Sequence, residues 1–280
     1  MNILACDSMG VRSLSVEAGG LLIDPGAALG PARYGLAPHR LELEALQKAT
    51  GRIKGALAEA KRVSISHYHY DHYMPGADYG GKTLFLKDWE ANINRSQSQR
   101  AGAFLERLEG QDAELVKADG QDFGRVEFSP AVPHGPEGGR LGYVVMAFLP
   151  KEKLVHASDV QGPQSGKTAD WIMERNPETL VLSGFPTLFL GWRVPYKSLE
   201  KSNALLCGII SGTDIKTIVL DHHPVRDLHY KKRVAPVFEE AEKKGVQVLT
   251  GAEYMGREPE MLEARRKELW KASGPKTPNS

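Results

Sequence analysis

Six consecutive residues, His67-Tyr68-His69-Tyr70-Asp71-His72, carry three of the nine histidines in the chain, together with an aspartate. Imidazole and carboxylate together suit zinc, iron or manganese. Residues two apart on an extended backbone point to the same side, so His67 and His69 can share one face. Asp71 and His72 need a turn to come back to the same space. One ion takes three or four ligands and two ions take more, so this motif requires partners from elsewhere in the chain.

The residues that must position it are strands. Arg62-Val63-Ser64-Ile65-Ser66 reads as a buried strand running into His67. Three further segments end in groups of the same kind. Val132-Pro133-His134-Gly135 precedes the strand-like Leu141-Gly142-Tyr143-Val144-Val145-Met146. Leu154-Val155-His156-Ala157-Ser158-Asp159 closes a strand on an aspartate, and Thr217-Ile218-Val219-Leu220-Asp221-His222-His223 closes another on a histidine pair. An early turn, Asp24-Pro25-Gly26, follows Leu22-Ile23.

An H-x-H-x-D-H motif after a hydrophobic strand, with these partners in this order across roughly residues 11 to 225, resembles the metallo-β-lactamase fold superfamily of metallo-hydrolases. The resemblance implies two divalent ions, zinc first, with iron or manganese served by the same donors. It implies that His67, His69 and His134 hold one ion, that Asp71, His72 and His222 hold the other, and that Asp159 bridges both. It implies water activated between the ions to attack an ester, thioester, lactone or phosphoester, with Asp71, His222 and His223 in the catalytic set. His222 and His223 compete for the last ligand position, since adjacent residues of an extended backbone cannot both face one point. His222 is favoured by analogy with Ser66-His67, which leaves His223 beside a ligand or on the substrate. Two departures, Pro133-His134-Gly135-Pro136 for Gly-His-Thr and Ala157-Ser158-Asp159 for Gly-Asp, set the chain apart from β-lactamases, glyoxalase II and lactonases. They bring it nearer to an archaeal branch of predicted metal-dependent hydrolases.

Other polar residues have two readings each. Arg226 is a candidate for binding a substrate carboxylate or phosphate, or a surface partner of Asp227 or a glutamate. Asp221 is a candidate to accept the second ring proton of a ligand histidine. His156 reads as a core histidine or one packed behind the ligands, and His39 and His229 as surface residues. Two further functions stand beside the hydrolase: a metal-dependent nuclease on RNA or DNA, and a metal-binding sensor or scaffold without turnover.

Composition narrows the partners. The chain has 280 residues, 41% hydrophobic and 25% charged, with net charge +1. Such a balance gives no support to nucleic acid or an anionic membrane as a bulk partner and leaves a small-molecule substrate as the expected one. The N-terminus lacks the basic start and apolar core of a leader, and no apolar run nears the ~20 residues that span a bilayer, so a cytoplasmic protein is expected. Cys6 and Cys207 read as two reduced thiols.

Along the chain, strands alternate with helices in two successive sets. The expected fold is α+β, a four-layer αββα sandwich of the metallo-β-lactamase type, as one domain over residues 1–272 with a disordered tail over 273–280. Strands are expected around Val11–Val16 and Leu21–Ile23 with a Gly19-Gly20 hairpin turn, and a helix over Leu41–Ala60 that Gly51 or Gly55 could interrupt. A second helix is expected from an Asp88 cap to Leu108, its polar middle, residues 92–100, facing solvent or substrate, and a last helix over residues 257–271. Residues 184–196 are too apolar for an ordinary loop and too rich in Gly and Pro for a helix. They fit a lid, a dimer contact or a long loop packed on the core.

Overall fold

The computed structural model describes residues 1–274. The first half runs β1 (Asn2–Cys6), β2 (Leu14–Ala18), β3 (Leu21–Ile23), α1 (Arg40–Glu59), β4 (Arg62–Ile65), β5 (Thr83–Leu86), α2 (Arg95–Leu108) and β6 (Glu114–Lys117). Its strands form one six-stranded sheet in sequence order. The pairs β1/β2 and β2/β3 are antiparallel, and the three pairs from β3 to β6 are parallel. The β2–β3 hairpin turns at Gly19 and Gly20, both with positive φ, as the sequence predicts. β1 carries no turn signal or alternation and was not legible as a strand.

The second half runs β7 (Glu127–Phe128), β8 (Val132–Pro133), β9 (Tyr143–Val144), β10 (Ala147–Leu149), β11 (Leu154–His156), α3 (Gly166–Arg175), β12 (Thr179–Ser183), α4 (Tyr196–Gly212), β13 (Thr217–Asp221), α5 (Tyr230–Arg233), α6 (Ala235–Lys244), β14 (Gln247–Leu249), α7 (Gly251–Tyr254) and α8 (Arg266–Ala272). A second six-stranded sheet has the order β14-β13-β12-β11-β10-β7, parallel from β11 to β14 and antiparallel at β10. β8 and β9 make a small separate ribbon. The chain is thus a mixed α+β structure with parallel and antiparallel pairing.

Three apolar clusters hold it together. One joins residues of both large sheets, among them Val16, Phe85, Leu149, Val181 and Val219. A second packs Ile53 and Leu57 of α1 and Phe104 of α2 on Val63 and Leu84 of the first sheet. The third packs Ile172 of α3, Leu206 of α4 and Val237 of α6 on Leu180 and Ile218 of the second. Burial of such side chains contributes roughly 1.5–3 kcal/mol each, so these clusters fix the strand ends that carry the site.

Several helix boundaries differ from the sequence reading. α1 runs unbroken through Gly51 and Gly55. His39, expected at the surface, is buried and caps α1: its Nδ1 accepts from Leu41 N, while Glu42 accepts from its backbone N–H. α2 starts at Arg95, where Asn94 accepts from Gln97 N at 2.8 Å; Asp88 instead closes a local turn on Glu90 and Ala91. The last helix starts at Arg266, not residue 257. Within the expected tail, Ser273 is held, its Oγ 2.8 Å from His39 Nε2 and donating to Leu269 O; positions 275–280 lie outside the described residues. Cys6 and Cys207 are both unpaired. Among the described residues no helix is long and apolar enough to cross a membrane.

Candidate metal centre

The site forms where strands of both sheets end. β4 runs through Ser66 into His67, β11 through Ser158 into Asp159, and β13 through Asp221 into His222 and His223, while the end of β8 delivers His134. Ends of parallel strands converge in this way in open α/β sheets. The backbone leaves the extended state at once: Asp24, Ser158 and His222 take left-handed conformations with φ of +48°, +51° and +67°. Such residues cost about 1–3 kcal/mol each and persist only where the surroundings enforce them.

Asp159 is the centre. Its Oδ2 lies 3.3 Å from His134 Nε2, 3.6 Å from His72 Nε2, 3.9 Å from His67 Nε2 and 4.0 Å from His223 Nε2. Its Oδ1 lies 3.4 Å from His222 Nε2, which is in turn 3.6 Å from Asp71 Oδ2. His67 Nε2 is 2.9 Å from His69 Nδ1. Three groups have ligand atoms mutually within 4.8 Å: His67, His69, His134 and Asp159; Asp71, His72 and His222; and Asp159, His222 and His223. Each of the seven residues expected as ligands is therefore in the cluster. So is His223, because the left-handed φ at His222 removes the extended geometry that would have turned the two rings apart.

The rings are held from behind. His72 Nδ1 donates to Asp24 Oδ2 at 2.9 Å, and Ser66 and Ser158 donate to the same carboxylate at 2.7 and 3.0 Å. His67 Nδ1 donates to Ser66 Oγ at 3.0 Å. His222 Nδ1 donates to Asp7 Oδ2 at 2.6 Å, and His223 Nδ1 pairs with Ser183 Oγ at 3.1 Å. The two carboxylate contacts place the proton on Nδ1 of His72 and His222 and turn their Nε2 atoms inward, as metal-binding histidines require. Asp221, expected in that role, does not fill it. Its oxygens accept from the backbone N–H groups of Ser8, His222 and Gly251. Asp7 takes its place and was missed, since a lone aspartate after a short strand gives no signal. Asp24 was legible only as part of a turn.

Charges follow from these contacts. Burial, then the neighbouring His72, His69 and His134, holds His67 well below its ordinary pKa. Burial and His134 bring His69 down to about 3. Burial opposes charge on His72 and His222, but Asp159 with Asp24 raises the first, and Asp159 with Asp7 raises the second to about 9. Burial opposes ionisation of Asp71 as well, and His72 and His222 outweigh it to bring Asp71 down to about 2.

The donor set fits a cation on one further observation. His72 Nε2, His134 Nδ1 and Asp159 Oδ1 are buried and have no hydrogen-bond partner. Buried polar atoms are nearly always partnered, and two of these three face the cluster at the distances above.

A cavity of about 550 Å³ opens on the centre, with His69, Asp71, His134, Asp159 and His223 in its wall. Arg226 reaches it too and is buried, with Nε on Asp7 Oδ1 at 2.6 Å, so the expected surface pairing with Asp227 or a glutamate is not the one it makes. Segment 184–196 divides. Phe185 joins the core, Phe189 and Val194 line the cavity, and Trp192 and Tyr196 are exposed. Residues 92–100 divide as well: Gln97 is buried and donates to Leu141 O, and Arg100 lines the cavity. His156 is buried and donates to Leu14 O from Nε2, while His229 is exposed.

No family model matches the chain. It is 46% identical to the UPF0282 protein of Thermococcus gammatolerans in an alignment covering 96% of this chain and 94% of that protein. The corresponding protein of Pyrococcus furiosus is 42% identical over 95% of this chain and 90% of its own length. That of Methanopyrus kandleri is 40% identical over 95% and 97%. With likeness of this degree along nearly its whole length, the chain belongs to the UPF0282 family.

Proposed function

We propose that the protein is a metal-dependent hydrolase of the metallo-β-lactamase type, built as a four-layer αββα sandwich. One observation carries the reading: Asp159 sits among five imidazoles within 4.0 Å, at the floor of an open cavity. His67, His69 and His134 with Asp159 would hold one divalent ion, and Asp71, His72 and His222 with Asp159 the other, with zinc the first choice. When bound, such a pair acidifies water and polarises the oxygen under attack. The fold reading is supported by the apolar cluster between the two sheets and the helices packed on each.

The chain's own part is positioning. Asp24 and Asp7 hold His72 and His222 in one tautomer and orientation. Asp159, well below its ordinary pKa because the histidines around it outweigh burial, stays an anion between the two ligand groups. His223 lies in the cavity wall, where it would meet a bound substrate. Catalytic sites keep a position open, whereas structural ones are closed, so an accessible centre favours turnover over a scaffold.

The test is metal analysis of the purified protein together with a panel of esters, thioesters, lactones and phosphodiesters. The expected result is about two ions per chain and hydrolysis of at least one class, abolished in His69→Ala. Metal-replete protein inert across the whole panel overturns the proposal.

A further inference from the structure

Four arginines, Arg12, Arg100, Arg193 and Arg226, line the cavity over the proposed centre. Two of them are already neutralised. Arg12 makes a bidentate contact to Glu263, both distances 2.7 Å, and Arg226 is held by Asp7. The other two are not. Arg100 of α2 gives one N–H to Tyr68 O at 3.0 Å and one to Ser96 Oγ at 2.8 Å, both uncharged. Arg193 lies with its guanidinium 4.2 Å from the centroid of the exposed Trp192 ring. Among the described residues neither has a carboxylate at ion-pair distance.

The carboxylates in the cavity wall are Asp71 and Asp159, both in the proposed ligand set. Nothing else in the wall is anionic, and much of the rest is apolar, with Leu29, Leu141, Pro186, Phe189 and Val194. A guanidinium carries five donors in a planar fork that suits carboxylate and phosphate oxygens. Arg100 keeps donors unused by its two backbone and hydroxyl contacts. Stacking on Trp192 orients Arg193 without consuming its N–H groups.

We infer that Arg100 and Arg193 form an anion-binding subsite, and that the substrate is a small compound with an apolar body and a carboxylate or phosphate group apart from the bond that is cut. This rests on the hydrolase reading for the reaction, not for the binding. Hydrolysis adds one water: its hydroxyl goes to the acyl carbon or phosphorus, and its remaining proton goes to the departing oxygen or sulfur. The anionic group takes no part and supplies orientation.

Phenyl acetate, para-carboxyphenyl acetate and para-phosphophenyl acetate, with their deacylated phenols as binding probes in calorimetry, separate the cases. For the wild type, one anionic ester is preferred over the neutral one, and which one is preferred distinguishes carboxylate from phosphate. In Arg100→Gln and Arg193→Gln the anionic-to-neutral ratio of kcat/KM falls by about tenfold or more, the loss expected for a charge-assisted contact. The anionic phenol weakens in parallel, and Arg100→Lys recovers part of the loss. Arg193 is exposed, so its variant folds whatever becomes of Arg100. Turnover without anionic preference, or a preference unmoved by both variants, overturns the subsite and leaves the hydrolase reading standing. Arginine-dependent binding without turnover of any ester supports the subsite and counts against hydrolysis of this ester class.

Discussion

Asp7 and His222, 215 positions apart in the chain, meet at 2.6 Å between Oδ2 and Nδ1. The same carboxylate accepts Arg226 Nε at 2.6 Å on its other oxygen. One aspartate from the end of β1 thus orients a proposed ligand from β13 and neutralises a buried guanidinium. Asp7→Asn keeps the shape and loses the charge. Metal affinity is expected to fall by about 10–100-fold, the usual effect of removing a group that orients a ligand histidine. Competition with a chromophoric chelator reads it. Melting should also drop, by about 3–5 kcal/mol, since Arg226 is left buried without its anion. Unchanged affinity would mean that Asp7 serves Arg226 alone.

That contact marks where sequence reasoning stops. His67, His69, Asp71, His72, His134, Asp159 and His222 could be picked out because each follows a hydrophobic strand in a recognisable order. The groups behind them have no local signature. Asp7 follows Asn2–Cys6, too short to declare itself, and its role exists only once two sheets have met. Asp221 lay beside the histidines in sequence, yet the left-handed turn at His222 leaves its oxygens facing backbone N–H groups. His39 acts as a cap with Glu42 three residues on, but histidine in place of Ser or Thr hides the pattern. Boundaries failed for the same reason. Asp88 has the chemistry of a helix cap, and only packing decides that Asn94 does the capping.

Arg266 and Glu42 make a fully buried bidentate pair at 2.6 and 2.8 Å. The guanidinium also donates to the carbonyls of Pro31 and Gly30, so one side chain ties α8, α1 and the loop between β3 and α1 together. Arg266→Ala leaves the Glu42 carboxylate buried without its cation, with the His39 N–H as its one remaining donor among the described contacts. The expected loss is about 3–5 kcal/mol, read by denaturant unfolding, whereas the double variant Arg266→Met with Glu42→Leu should recover much of it. Equal losses in the single and double variants would show that the carbonyl contacts, not the ion pair, carry the stability.

Gly26 closes the Asp-Pro-Gly turn against the metal motif. A Cβ there would lie 2.1 Å from Tyr73 N and 2.5 Å from His72 C, backbone atoms that cannot step aside. Gly26→Ala must displace either the turn or the His72 segment. A loss of about 1–3 kcal/mol is expected from overpacking, with weakened metal binding because Asp24 and His72 no longer meet. If melting falls while metal affinity holds, the turn yields instead of the histidine.

Glu178 supplies the clearest pH dependence away from the centre. It bridges Lys153 and Lys216 at 2.8 and 2.7 Å, at the starts of β11, β12 and β13, and those contacts bring its pKa down to about 2. A carboxyl whose folded pKa lies below its unfolded value of about 4.3 releases its proton more readily in the folded state. Its contribution is therefore present in full above pH ~4.3 and fades as pH falls towards 2. Glu178→Gln should be less stable than the wild type at neutral pH, with the gap closing across that acid window. Glu178 is half-buried and its two lysine partners are exposed, so added salt should shrink the gap as well. Melting curves at stepped pH and two salt concentrations check both trends, and a gap constant down to pH 2 would assign the difference to shape instead of charge.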